Sequence, residues 1–209
     1  MKVSLTERRT LRVLTVSWIL VVGTGISMLG AYHARPGDRG SVPTRWPERT
    51  TLDLSKSKPT LIMFLHPRCP CSRASVAELS RLECLRLKRI APLVVMIAPS
   101  RIDGTGWREP ALERSVTTIP GVEIRHDDGG VEATRFGMAT SGHVLLYSTS
   151  GSLLFSGGIT PSRGHEGEND GIDSLNALIL HESTPRRKNS VFGCPLVRFD
   201  QSADGGGNQ

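Results

Sequence analysis

Hydrophobic positions change their spacing several times along the chain, and each change marks a predicted element. Residues 13–32 (VLTVSWILVVGTGISMLGAY) are uncharged throughout. As a helix this run would span roughly 30 Å, about one bilayer hydrocarbon core. Residues 33–57 mix Pro, Gly, Ser and charge without any period, the signature of a flexible linker, with room for a short edge strand at 51–54. Residues 59–65 (PTLIMFL) are continuously apolar and short enough for a buried strand. Residues 72–90 read as a helix, with Ser72 as its N-cap and Arg86, Lys88 and Arg89 gathered near its end. Residues 93–98 (LVVMIA) give a second buried strand.

Further on, residues 107–116 predict a weak helix and 121–125 a short strand. Asp127-Asp128-Gly129-Gly130 reads as a turn into a short helix at 131–136. The apolar stretches 143–147 and 152–155 flank Ser148-Thr149-Ser150-Gly151, a β-hairpin with Gly available for a positive φ. Residues 172–180 supply a last amphipathic helix. Residues 182–209 lack periodicity and end in Asp-Gly-Gly-Gly-Asn-Gln, which predicts a largely disordered tail. The order is β-α-β, a helix-containing connection, then a hairpin and a helix. It defines an α/β domain over 58–181 whose first two strands are parallel and joined by a right-handed crossover.

Composition and charge change this picture in two ways. Aromatic residues make up 5% of the chain, so the core must rest on Leu, Val, Ile and Ala. The formal net charge of +6 is carried by two segments. Lys2, Arg8, Arg9 and Arg12 against Glu7 give +3 in a basic tail over 1–12, and Arg35, Arg39, Arg45, Arg49, Lys56 and Lys58 against Asp38, Glu48 and Asp53 give +3 in or beside the linker; the rest of the chain balances. A phosphate-binding face would concentrate charge on the folded domain, so no nucleic-acid partner is expected. The basic cluster before residues 13–32 predicts a cytoplasmic N-terminus and an exported remainder. A cleaved signal peptide shares that basic start. The run is long for a signal core, however, and Ala31-Tyr32-His33-Ala34 places small residues poorly for cleavage. The expectation is a single-pass transmembrane helix.

Four cysteines carry the candidate chemistry: Cys69, Cys71, Cys84 and Cys194. An exported chain can form disulfides, but this spacing is no dense structural framework. Cys69 and Cys71 stand one residue apart, which staples a fold poorly and points instead to reactivity. They join the first core strand to its helix. A helix N-terminus offers unpaired N–H groups and positive dipole charge, so a thiolate there is stabilised and its pKa falls. Cys69 is the candidate nucleophile and Cys71 the thiol that resolves a mixed disulfide, with Arg68 and His66 as further sources of positive charge. The blander alternative is an inert structural disulfide. Cys84, mid-helix, reads as a small buried hydrophobe. Cys194 sits in Phe192-Gly193-Cys194-Pro195-Leu196, an apolar patch within a polar tail. It is either a second resolving thiol or an unpaired bystander.

The stretch Phe64-Leu65-His66-Pro67-Arg68-Cys69-Pro70-Cys71-Ser72, together with Phe136-Gly137 and the hairpin over 143–155, resembles the thioredoxin-like superfamily across about residues 58–181. More narrowly, the chain is similar to small exported bacterial thioredoxin-like proteins of the RedB type. The resemblance implies a thioredoxin-like three-layer α/β/α sandwich with a mixed sheet. It also implies an exported thiol–disulfide oxidoreductase of the bacterial inner membrane, its domain in the periplasm or outside, acting on protein thiols or disulfides without a cofactor. In that arrangement the loop after the last strand lies beside the cysteines, so Arg163 and His165, with Gly142, are candidate substrate contacts; otherwise 156–169 is a solvated loop.

Two departures from the family pattern matter. Redox thioredoxins carry C-x-x-C, whereas here the spacing is C-x-C and Ser72 stands where the second cysteine falls. A disulfide across one residue is strained and easily reduced. The family's cis-proline position is occupied by Gly142. Loss of that shielding proline opens an alternative in which Cys69, Cys71 and His143 bind Cu(I) or Zn(II). Copper-delivery proteins of the Sco type are analogous, although their cysteine spacing and histidine register differ. As a structural residue, His143 would instead be a hydrogen-bonded histidine opening an apolar strand. Nothing in the sequence fixes an oligomeric state.

Overall fold

The computed structural model describes residues 5–98, 109–180 and 186–196. Its first element, α1 (Leu5–Ala34), contains the stretch Arg8–Ala34, whose mean hydropathy reaches 1.9. That helix is long and apolar enough to cross a membrane. Three of its hydroxyls are satisfied within the helix: Thr10, Thr15 and Ser27 donate to the carbonyls of Thr6, Leu11 and Gly23. The chain from Pro36 onward forms a separate compact unit.

That unit contains β1 (Thr60–Leu65), α2 (Cys71–Arg81), α3 (Glu83–Arg86), β2 (Ala91–Ala98), α4 (Pro110–Thr117), β3 (Glu123–Asp128), α5 (Val131–Arg135), β4 (His143–Tyr147), β5 (Leu153–Gly157) and α6 (Asp170–Leu180). The strand order is β3-β2-β1-β4-β5. The β1–β2 and β2–β3 pairs are parallel, and β1–β4 and β4–β5 antiparallel. With helices on both faces this is a thioredoxin-like α/β/α sandwich.

Strand periodicity explains the layers, because successive side chains point to opposite faces. Leu61, Met63 and Leu65 of β1 join Val76 and Leu79 of α2, Val116 of α4 and Leu175 of α6 in one core. Ile62 and Phe64 join Val95, Leu145 and Tyr147 in the other, covered by Ala133 of α5, Phe136 and Leu52. Because both faces are covered, β1 is buried along its whole length and reads in sequence as an unbroken apolar run.

Several elements differ from their sequence-based outlines. The helix expected over 72–90 breaks at Leu82, whose ψ of 120° leaves the helical region. The break is held from outside: the Cys84 N–H at the start of α3 donates to Asn176 Oδ1 on α6, at 3.2 Å. Pro70, rather than Ser72, occupies the N-cap of α2. Helix α4 starts at Pro110, a residue whose fixed φ suits the first helical turn; residues 107 and 108 of the expected helix lie outside the described residues. Asp127 and Asp128 belong to β3, and the turn is made by Gly129 and Gly130, at φ 77° and 68°. The Asp127 carboxylate accepts the N–H groups of Glu132 and Ala133, at 2.9 and 2.8 Å, and so caps α5.

The two segments expected to be irregular and free are irregular but packed. Within the expected linker, the Trp46 ring meets those of Phe136 and Tyr147 edge-on, each at a centroid distance of 5.3 Å. The Trp46 N–H donates to the Gly151 carbonyl at 2.8 Å, and Leu52 is buried. Without this cover the sheet face around Tyr147 and Phe136 would be exposed, which is why residues 36–54 lie down on it. In the expected disordered tail, residues 186–196 dock on the domain, with Val191 and Leu196 buried. Residues 181–185 and 197–209 lie outside the described residues.

Candidate active site at the first turn of α2

Strand β1 delivers the chain into His66-Pro67-Arg68-Cys69-Pro70, and α2 begins at Cys71. The loop is held by a small polar network. The His66 N–H donates to Ser141 Oγ at 2.9 Å, and the Ser72 hydroxyl donates to the His66 carbonyl, also at 2.9 Å. The Ser72 and Ser141 hydroxyls lie 3.0 Å apart. The Cys69 N–H closes a turn onto the His66 carbonyl, and the Ser72 N–H another onto the Cys69 carbonyl, both at 3.0 Å. Ser72 therefore serves as the strut that fixes the cysteine loop.

Cys69 is 3% exposed and Cys71 8%; all four cysteines are thiols. Burial alone would raise the Cys69 pKa. The Cys194 thiol, the N–H groups of Cys194 and Cys71, and the Ser72 hydroxyl outweigh it and hold Cys69 below the ordinary thiol value of 9.0. The same geometry works the other way on its neighbours. Burial and the adjacent Cys69 charge push Cys71 up to about 11, against the opposing pull of Arg163 and the Gly164 N–H. Burial, donation to Cys69 and the charges of Cys69 and Cys71 push Cys194 up to about 12, with Arg163 again opposing. One sulfur favours the thiolate while two adjacent sulfurs keep their protons. His66 brings no charge near neutral pH, since burial and Arg68 lower its pKa from 6.5.

The sequence-derived candidates divide. Arg163 lies beside Cys71 and Cys194 and donates through Nη1 to the Gly193 carbonyl, and Gly164 would place a Cβ 3.9 Å from Cys71 Sγ. The loop after β5 thus does border the cysteines. His165 is exposed, its Nδ1 2.7 Å from the Arg163 carbonyl. Gly142 is buried at φ 84° and donates its N–H to the Phe64 carbonyl at 2.8 Å. A Cβ there would lie 2.6 Å from Ser75 Oγ on α2, so only glycine passes this close to the helix. Cys84 is fully buried, and burial pushes it to about 11, as fits a small core residue.

The alternative metal set does not assemble. His143 shares its strand face with Leu145 and Tyr147, which pack in the core opposite to that of α2. It is wholly buried, and its Nε2 lies 2.8 Å from Ser156 Oγ. Burial and the Arg39 charge lower its pKa to about 4, so the ring is neutral. Among the described residues no group of three or more His, Cys, Asp or Glu side chains is placed to hold a metal ion. One contributor escaped the sequence-based site: Ser141 carries no motif at all. Cys194, read from the sequence as either a second resolving thiol or a bystander, lies against Cys69, its N–H donating to Cys69 Sγ at 3.4 Å.

No family model matches the chain, and no curated protein does. Solved structures do. An uncharacterized conserved protein from Geobacillus kaustophilus superposes with a TM-score of 0.57 at 17% identity, covering 81% of this chain and 95% of its own. A hypothetical protein from Sinorhizobium meliloti 1021 gives 0.52 at 18% identity, covering 78% and 93%. The thioredoxin domain of a thiol-disulfide oxidoreductase from Bacteroides vulgatus gives 0.39 at 12%, covering 69% and 98%, too distant to carry weight. These likenesses concern the fold. Sheet order, the cysteine pair at the head of α2 and the closing hairpin define a protein of thioredoxin-like fold, preceded by a helix able to cross a membrane.

Proposed function

We propose that this protein is an exported thiol–disulfide oxidoreductase in which Cys69 attacks and Cys71 resolves. The observation that carries the reading is the placement of Cys69 and Cys71 at the head of α2, with the Cys194 N–H aimed at Cys69 Sγ; the donors around Cys69 lower its pKa while burial and the Cys69 charge raise that of Cys71. The Cys69 thiolate would attack one sulfur of a protein disulfide, form a mixed disulfide and release the other sulfur as a thiolate, which takes up a proton. The Cys71 thiol then gives up its proton and attacks Cys69, closing Cys69–Cys71 and releasing the second substrate thiol. Arg163 and the Gly164 N–H are the groups that ease deprotonation of Cys71. In this reading the exposed His165 belongs to the substrate-facing rim, and the buried Gly142 lets the chain pass close to α2 beside the cysteines. The chemistry needs protein thiols or disulfides and no cofactor. The copper alternative loses its imidazole to the core and is not favoured.

Helix α1 would anchor the domain in the bacterial inner membrane with residues from 36 onward on the periplasmic side, a reading supported by the length and hydropathy of 8–34 and by the basic residues before it. The test is mixed-disulfide trapping with the full-length protein in detergent. With both neighbouring thiols removed, Cys71→Ser/Cys194→Ser should accumulate Cys69-linked adducts with a disulfide substrate, and Cys69→Ala should lose them. Absence of exchange by the unmutated protein across redox buffers would exclude the function.

A further inference from the structure

The segment that covers Cys69 is the protein's own tail. Residues 192–196 run along 139–142 without forming a regular element, and Ser190 and Val191 before them are held by the N–H groups of Gly158 and Gly37. The Ser141 N–H donates to the Cys194 carbonyl and the Leu196 N–H to the Ala139 carbonyl, both at 2.8 Å. Thr140 and Pro195 form an antiparallel bridge between these contacts. Val191 at one end and Leu196 at the other are buried, and the Val191 carbonyl accepts the Gly37 N–H at 2.8 Å. Gly193 is pressed so closely onto 141 that a Cβ would come within 2.0 Å of the Ser141 carbonyl oxygen. Every one of these contacts fixes the position of Cys194, whose N–H reaches Cys69 Sγ.

We infer that Cys194 is a third redox thiol of this site and the disulfide partner of Cys69, carried to it by the docked strap 190–196. The inference rests on Cys69 being the nucleophile. Cys71 remains a resolving thiol of the proposed reaction, and two physical arguments make Cys194 the partner of Cys69 in the less strained disulfide. A bond between Cys69 and Cys71 must close across a single residue at the start of a helix, where disulfide geometry is strained. Cys194 approaches from a segment 125 residues away in sequence, so no small ring constrains the bond. The strap also explains why an apolar patch interrupts a polar tail: Val191 and Leu196 are its anchors. In the reaction, Cys69 thiolate attacks a substrate disulfide and releases one substrate thiolate. Cys194 then loses its proton to that thiolate and attacks Cys69 Sγ, and the second substrate thiolate leaves with a proton from water. Two electrons pass from the Cys69/Cys194 pair to the substrate disulfide, and a dithiol reductant restores the pair.

The experiment uses the full-length protein in detergent, treated with oxidised glutathione, alkylated and digested with trypsin without reduction. Cleavage after Arg68, Arg73, Lys188 and Arg198 puts Cys69 and Cys71 in one peptide and Cys194 in another. The unmutated protein and Cys71→Ser should both give the cross-linked pair of peptides. The glutathione adduct on Cys69 should persist at least about tenfold longer in Cys71→Ser/Cys194→Ser than in Cys71→Ser, because an intramolecular thiol acts at high effective concentration. An adduct on Cys69 that decays equally with and without Cys194, or a linkage confined to Cys69–Cys71, overturns the inference and leaves the oxidoreductase reading intact. If Cys69 takes up no glutathione in any variant, the oxidoreductase reading itself falls and the inference with it. The cross-link map of the unmutated protein shows without any variant whether Cys194 is joined to the Cys69/Cys71 peptide, and Cys71→Ser assigns that bond to Cys69.

Discussion

At the scale of single residues, the site is a problem of proton placement among three sulfurs. Cys69 is nearly enclosed, and burial by itself would make it a poor thiolate. Donors aimed at its sulfur reverse that, and the most distant in sequence, Cys194, contributes both its thiol and its N–H. This predicts a distinctive pH profile for alkylation. The Cys69 rate should rise through an inflection below 9.0, while Cys71 and Cys194 stay slow until the pH nears about 11 and about 12. Replacing Cys194 with Ala removes a donor to the Cys69 thiolate, disfavours the charged form and should move the Cys69 inflection upward. Labelling followed by peptide mass analysis across the pH range reads all three. An inflection at or above 9.0 in the unmutated protein would contradict the arrangement. Gly142 shows a different constraint. At φ 84° it stands in a conformation closed to proline, whose φ is fixed near −65°, so a proline cannot be put back there without moving the loop.

At the scale of elements, irregular segments are tied to regular ones by a few strong contacts. Glu132 of α5 accepts the Thr51 N–H at 3.1 Å and the Thr51 hydroxyl at 3.0 Å, and it also takes the Thr50 hydroxyl and the Arg135 guanidinium. Burial pulls its pKa up, but these donors prevail and set it below 4.5. A carboxyl with a depressed folded pKa adds stability that is present above the unfolded value and disappears as pH falls through the folded one. Glu132→Gln should therefore cost about 1.5–3 kcal/mol in urea unfolding near pH 7. The gap between variant and unmutated protein should close once the pH drops below 4.5. A gap that stays constant into acid would mean the carboxylate charge is not what ties 50–51 to α5. These ties also show where sequence reading fails. Apolar runs at β1, β2 and β4, and the hairpin, were legible because a strand buried on both faces writes its burial into consecutive residues. The break at Leu82 was not, because it depends on a bond from Asn176 on a distant helix.

At the scale of the whole molecule, the chain from Pro36 onward is one compact unit, and the segment before β1 is part of its core. Residues 36–209 without α1 should therefore fold and melt cooperatively. Residues 58–209, which would suffice if 33–57 were only a tether, lose Trp46, Leu52 and Leu54 from the sheet face. Their stability should fall by at least about 3 kcal/mol, the scale of deleting one large buried side chain. Thermal melts of the two fragments compare them directly, and equal melting temperatures would show that the segment adds nothing.

Sequence by itself determined an N-terminal helix long and apolar enough to cross a membrane, the order of strands and helices after it, and a cysteine pair at a strand–helix junction. All of these are local: period, run length and a motif whose residues are neighbours in the chain. Only the tertiary structure decided which groups surround Cys69. It turned His143 into the core opposite α2, laid 36–54 over Tyr147 and Phe136, and brought Cys194 onto Cys69 across 125 residues. Such docking depends on shape and hydrogen-bond complementarity between segments far apart in the chain, and an irregular strap has no period by which to announce it.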